Sequence, residues 1–379
     1  MGGNIMKKAI KLFAALCIAG SLLGCKSKPS TSVTTESSQQ TEKALNIMFV
    51  VTGNLGGGTN NDDVNLALSD YTKKYGGNLD TYECNMDTSV YENTLMQAAQ
   101  TGNYDLIVTG FGTMAEPLAN TAKAYPDQKF MIFDTAIDYS NGQNSNIISV
   151  QVKQNQGAFL AGALAALVTQ SNIENTNPEK VIGFVGAMES TAIQDCLIGY
   201  IEGAKYVDNS VKVIYSFVGN HKDSALTKEI ALTQNQNGAD VIYGVSQSDL
   251  AVADAALENN FYAICSDADD AKTISATSED TAKHILTSVI KNYYSMVYPI
   301  VEEIGAGTAQ FGTHKAISYA EGGVYLADNQ YYQDIVNDDI KEKFEKIIED
   351  VKNDKVKIDT AYGVSVDEIK SIISKASDN

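Results

Sequence analysis

The chain reads as an α/β protein of two similarly wound lobes, and three observations predict it. Short apolar runs alternate with helix-like segments, the pattern of parallel β-α-β units buried on both faces. Landmarks recur at nearly one offset: Ile47 and Val181 lie 134 residues apart, Asp105 and Asp240 135, and Asp134 and Asp267 133. Beyond the N-terminal segments, about 335 residues remain, more than one hydrophobic core usually serves.

In chain order, residues 1–24 read as an export leader. Lys7, Lys8 and Lys11 form its positive region and residues 12–23 its apolar region. That run is too short for the roughly 30 Å of a bilayer's hydrocarbon. Gly24 places a small residue before Cys25, as a lipid-attachment site requires, although Leu23 is bulkier than usual there. Lipidation at Cys25 would leave a diacylglycerol whose two chains give stable anchoring. An ordinary cleaved leader with a chance cysteine is the alternative. Residues 25–43 follow as a tether; between Lys26 and Lys43 nine of eighteen positions are Ser or Thr, a composition that stays disordered.

Order begins near Leu45. Strands are predicted at 47–52, 106–110, 130–133, 147–152, 181–185, 211–217, 241–245 and 262–265. Helices are predicted at 64–75, 89–100, 115–125, 158–169, 194–207, 225–235 and 250–258. The longest apolar run, 158–168, holds two glycines and reads as a buried helix rather than a membrane span.

Charge excludes some partners. The 47 acidic against 28 basic residues give a net charge of −19, which argues against nucleic acid and against an anionic membrane surface. Of five cysteines, Cys17 leaves with the leader and Cys25 is the lipid site. Cys84, Cys196 and Cys265 have neither metal-site spacing nor a disulfide framework, so buried free thiols are expected, with one bridged pair left open.

In doubly wound sheets ligands bind beyond the carboxyl ends of the strands. The loop Gly53–Gly58 stands at such an end, but it lacks the Lys-Ser/Thr of a P-loop and the spacing of a dinucleotide fingerprint. It reads as a turn approached closely by ligand or by the other lobe. Asp134 and Asp267 occupy equivalent strand ends; a carboxylate there can accept hydrogen bonds from adjacent hydroxyls, and a turn or helix-capping role is the alternative. His221, His284 and His314 have no paired spacing for zinc, and no serine sits in a nucleophile elbow. Asp269-Asp270 suits acid–base chemistry no better than it suits a solvated turn. The chain is read as a non-enzyme, with no cofactor and no metal.

Several segments resemble one family in order. They are 105–112 (Asp-Leu-Ile-Val-Thr-Gly-Phe-Gly) with 124–130 and Asp134; 149–162, from Ser-Val-Gln-Val to Leu-Ala-Gly; and 183–188 (Gly-Phe-Val-Gly-Ala-Met). To these add 199–206, 238–243, 286–291 (Leu-Thr-Ser-Val-Ile-Lys) and 321–324. Together they are similar to the basic membrane protein family, the nucleoside-binding lipoproteins of ABC transport systems, from about Leu45 to Lys357. The resemblance implies a type I periplasmic-binding fold: two Rossmann-like lobes around a ligand cleft, joined by three crossovers. It places residues 44–150 with 284–310 in one lobe and 151–283 with 311–379 in the other. By motif, Asn65, Asp134, Lys291 and either Asp267 or Asp269 match the family's polar ligand contacts.

The departures from the pattern fall on the same site. Gly53 stands where the family's first strand ends in Asp, Val64 replaces one stacking aromatic, and His221 replaces the other. Each stack on a base is worth about 1–3 kcal/mol, and Phe111, Tyr243 or His221 are the aromatic groups expected to substitute. The implied function is a lipid-anchored, extracytoplasmic binding protein that captures a small polar solute, foremost a purine nucleoside, and delivers it to an ABC permease. A sugar-binding or sensory receptor, or a nucleoside hydrolase, are the alternatives.

Overall fold

The apolar run that opens the ordered region forms β1 (Leu45–Val51), and Ile47, Phe49, Val50 and Val51 on it are fully buried. The structure, a computed structural model, describes residues 43–378; the leader, Cys25 and all but the last residue of the tether lie outside the described residues. After β1 come α1 (Asn60–Tyr75), β2 (Gly77–Glu83), α2 (Tyr91–Thr101), β3 (Leu106–Gly110), α3 (Ala115–Ala124), β4 (Phe130–Phe133) and β5 (Ile147–Val152). Helix ends follow local chemistry. Asp62 in the first turn of α1 accepts the Thr59 N–H at 2.7 Å, and Gly102 closes α2 at φ 64° in the left-handed region.

The second half repeats the plan with α4 (Gln154–Thr169), β6 (Val181–Gly186), α5 (Thr191–Val207), β7 (Lys212–Phe217), α6 (Ser224–Gln236), β8 (Ala239–Val245) and α7 (Leu250–Asn259). It continues with β9 (Tyr262–Ser266), α8 (Asp270–Ile274), α9 (Glu279–Ala282) and β10 (Ile285–Lys291). The remainder is α10 (Tyr293–Ala306), β11 (Thr313–Ile317), β12 (Val324–Leu326), α11 (Gln330–Ile335), α12 (Asp338–Lys352) and α13 (Val366–Asp378).

Two six-stranded sheets result, ordered β11-β5-β4-β3-β1-β2 and β12-β10-β9-β8-β6-β7. The order of the first five strands in each half is the same, as the recurring landmarks predict. All pairings among the described strands are parallel except β10 with β12. Every residue of β3, β4, β5, β6 and β8 is buried, as two covered faces require. The chain passes between the sheets three times: after β5, after β10 and after β11. The fold is the expected pair of Rossmann-like lobes.

Strand pairing corrects the assignment of two segments. Residues 284–310 do not stay with the first lobe, because β10 pairs with β9 in the second sheet and only α10 returns to pack on α1. Residues 311–379 are divided likewise, with β11 pairing β5 in the first sheet. The physical cause is that β10, buried at six of its seven residues, completes the parallel core of the second sheet before the chain crosses.

Helices α4 and α5 pack against each other on the second sheet. Fifteen of the sixteen residues of α4 are buried, the all-round burial that its apolar run predicts. Gly162, Gly199 and Gly203 allow the backbones to touch: a Cβ on Gly203 would lie 1.9 Å from the Phe159 carbonyl oxygen.

Candidate ligand site

Asp134 and Asp267 are each the first residue after a strand, β4 and β9, and each donates its N–H to the next strand, to the Val150 and Val289 carbonyls at 2.8 Å. Both sit at positive φ, 54° and 69°, a conformation Asp tolerates better than most residues. Lys291, the last residue of β10, brings them together. Its Nζ lies 3.4 Å from both oxygens of the Asp134 carboxylate and 3.7 Å from Asp267. The carboxyl ends of the two sheets therefore meet at one ammonium group.

The Lys291 and Asp134 side chains each retain 18% exposure, whereas that of Asp267 retains 52%. Burial works to lower the lysine pKa. The charges of Asp134 and Asp267 outweigh it and hold the group well above the ordinary lysine value. Tyr293, the first residue of α10, donates its hydroxyl to Asp134 at 2.8 Å. Burial and the Asp134 charge push the tyrosine hydroxyl well above its usual pKa, so it remains a donor.

Phe111 follows β3 and covers this group from the first lobe. Its ring meets Phe133 edge-on at 5.2 Å and Tyr293 at 6.2 Å. Its backbone, at φ 69° and ψ 157°, occupies a region nearly reserved for glycine, at a cost of about 1–3 kcal/mol. The Phe111 N–H donates to the Phe133 carbonyl at 2.8 Å, which keeps the strained turn in register.

Asn65 and Asn61 lie one turn apart on α1, and each has a buried side-chain oxygen without a partner. Gln151, near the end of β5, carries a third such oxygen. Buried amide oxygens of this kind are costly unless something donates to them. The glycine loop, in contrast, has spent donors. The Gly56 N–H reaches Asp62 at 2.6 Å and the Leu55 N–H reaches Glu83 at 3.1 Å, so carboxylates of the protein occupy two N–H groups that a phosphate cradle would need. The Gly56 bond is the largest influence holding the Asp62 carboxyl below its ordinary pKa.

Other predicted residues fall elsewhere. Asp269 caps α8 through the Lys272 N–H and accepts from Asn329 at 2.7 Å, so Asp267 is the acid that faces Lys291. His221 is exposed on the turn after β7, and no contact among the described residues joins it to the Lys291 group. The cause is topological: β7 is the outer strand of its sheet, so its carboxyl-end loop lies at the margin. Tyr243 is no substitute aromatic. It is 1% exposed in the core, against Phe184 and Tyr200. Val64 is likewise fully buried. Tyr293, which the sequence did not single out, joins the Lys291 group through its bond to Asp134, whereas Asn61 is placed only one turn before Asn65 on α1.

The family model for PnrA-like ABC transporter substrate-binding proteins matches residues 44–357. The chain belongs to that family. A nucleoside-binding protein of an ABC transporter from Lactococcus lactis is 26% identical over 373 residues, covering 93% of this chain and 99% of that protein. Basic membrane protein B of Borreliella burgdorferi is 26% identical over 271 residues, 70% of this chain and 75% of that protein. Among solved structures, an ABC solute-binding protein from Aeropyrum pernix superposes with a TM-score of 0.69 at 21% identity, covering 88% of this chain and 98% of that one, a likeness of fold. Membership in the family makes the chain a substrate-binding protein of an ABC transporter. Among the described residues, no helix is long and apolar enough to cross a membrane.

Proposed function

We propose that this protein captures a nucleoside between its two lobes and hands it to an ABC permease while held to the membrane by a lipid on Cys25. One observation carries the reading: Lys291 bridges Asp134 at the end of one sheet and Asp267 at the end of the other. A carboxylate with open lone pairs accepts strongly from vicinal hydroxyls such as those of ribose. Asp267 keeps such capacity because half of its side chain is open. The unpartnered oxygens of Asn61 and Asn65 suit the N–H donors of a base or further hydroxyls. Phe111 supplies the aromatic face. The relative named as nucleoside-binding, which this chain matches over nearly its whole length, supports the same ligand class.

Mechanistically, the solute docks on one set of strand ends and the lobes close over it. Closure gains only the ligand's differential affinity for the closed form.

A thermal-shift screen of nucleosides, free bases and sugars tests this. A nucleoside at a hundredfold excess over Kd stabilises by about 2.7 kcal/mol, a rise of several degrees in Tm. A shift with a sugar and none with any nucleoside at millimolar concentration would overturn the proposal. Incubation with inosine should release no free base.

A further inference from the structure

One layer behind the candidate site, on the outer face of the second sheet, Asp249, Cys265 and Asp270 converge. Asp249 immediately precedes α7, Cys265 lies in β9, and Asp270 opens α8, so three separate elements bring them together. One donor atom from each lies within 4.8 Å of the others. Exposure of the three residues is 7%, 0% and 9%. We infer that these three side chains form a binding site for one divalent cation of borderline softness, with Zn²⁺ the best match.

The acids alone would not justify a site. The independent observation is Asp270 Oδ2, which is buried and accepts no hydrogen bond. An oxygen in that position requires a donor or a cation. No ion pair among the described residues reaches Asp249 or Asp270, and the charges acting on Asp270 are those of Asp249, Asp267 and Asp269. Asp249, in contrast, is fixed in place: its Oδ2 accepts from the Ser266 N–H at 2.7 Å and from the Ser266 hydroxyl at 2.8 Å. Ser288, the β10 neighbour of Cys265, accepts the Asp270 N–H at 3.3 Å and orients that residue. A ligating carboxylate is usually held by such outer bonds.

The donor set selects the metal. A thiolate with two carboxylates suits Zn²⁺ or Co²⁺, while Mg²⁺ and Ca²⁺ take oxygen alone. Zinc bonds of about 2.0–2.3 Å place tetrahedral donors roughly 3.3–3.8 Å apart, so small side-chain rotations close the cluster around an ion. The fourth position is left to water. Binding displaces the thiol proton and the protons that burial holds on the carboxyls, all of which pass to solvent. The ion would tie β9 to the starts of α7 and α8 and so stiffen the segment that carries Asp267.

The test is a Co²⁺ titration of the full-length protein after chelator treatment, at about pH 7.5. One equivalent should bind with thiolate-to-cobalt charge-transfer absorption, which Zn²⁺ then removes. Cys265→Ser should abolish the absorption, whereas Cys84→Ser and Cys196→Ser should leave it. Asp270→Asn, which preserves shape, should weaken Co²⁺ binding at least roughly tenfold and decides the matter if Cys265→Ser does not fold. Absence of stoichiometric uptake, or absorption unchanged in Cys265→Ser or binding unchanged in Asp270→Asn, would overturn the inference. The readout involves no nucleoside, so its failure leaves the proposed ligand untouched.

Discussion

Lys291 holds two carboxylates that belong to different sheets, and its removal would leave them facing each other. Lys291→Met keeps the length of the side chain and deletes the charge. Nucleoside binding should weaken by about 2 kcal/mol or more, near 30-fold in Kd, while circular dichroism stays native; an unchanged Kd by calorimetry would remove Lys291 from the site. Much of this site was legible in the sequence. Asp134, Asp267 and Phe111 were singled out because ligands bind beyond strand ends, and Lys291 and Asn65 through family likeness; the structure brings all but Asn65 into one group. His221 lies apart from the Lys291 group because it follows an outer strand, a position that a linear chain does not reveal. Asp270 looked like a solvated turn residue because sequence does not show that α8 folds it under β10.

Helices α4 and α5 show how much of the packing follows from composition. The run 158–168 already required a buried helix, and three glycines at the crossing set the closeness of approach. Gly203→Ala would drive a methyl group into the Phe159 carbonyl, and backbone cannot yield as a side-chain tip can. The expected loss is about 3 kcal/mol, at the upper end for overpacking, read from the midpoint of urea unfolding; a change within experimental error would show that the seam can slide. Four strands escaped sequence reading: β2, β11 and β12 are outer strands, and β10 lies inside the second sheet. β2 (Gly-Asn-Leu-Asp-Thr-Tyr-Glu) buries no residue fully and carries little apolar signal, so only its partner β1 defines it.

Across the whole molecule, buried acids set the response to pH. Burial raises Asp240 to about 6 and Glu202 to about 7. An acid whose folded pKa lies above its unfolded value keeps its proton longer in the native state, so stability falls as pH rises between the two values. For these two groups the fall begins near pH 4 and levels off above about pH 7. The acids held below their ordinary values, Asp62 and Asp208, act oppositely and lose their contribution only below about pH 4. With a net charge of −19 adding repulsion as pH rises, Tm should be higher near pH 5 than near pH 8. Measured by calorimetry with chelator present, Asp240→Asn should flatten that slope; an equal or steeper slope would assign it to other groups.

The threefold passage between sheets also governs the order of assembly. The first sheet lacks its outer strand β11 until residue 317 has been made, long after β1 to β5 are available. The second sheet in turn has been interrupted by α10 and β11 before β12 returns to it. Neither lobe is a contiguous stretch that could fold and be stored while the other is being synthesised. Pairings so distant in sequence are slow to form. Neither sheet is complete until residue 317 or later has been made.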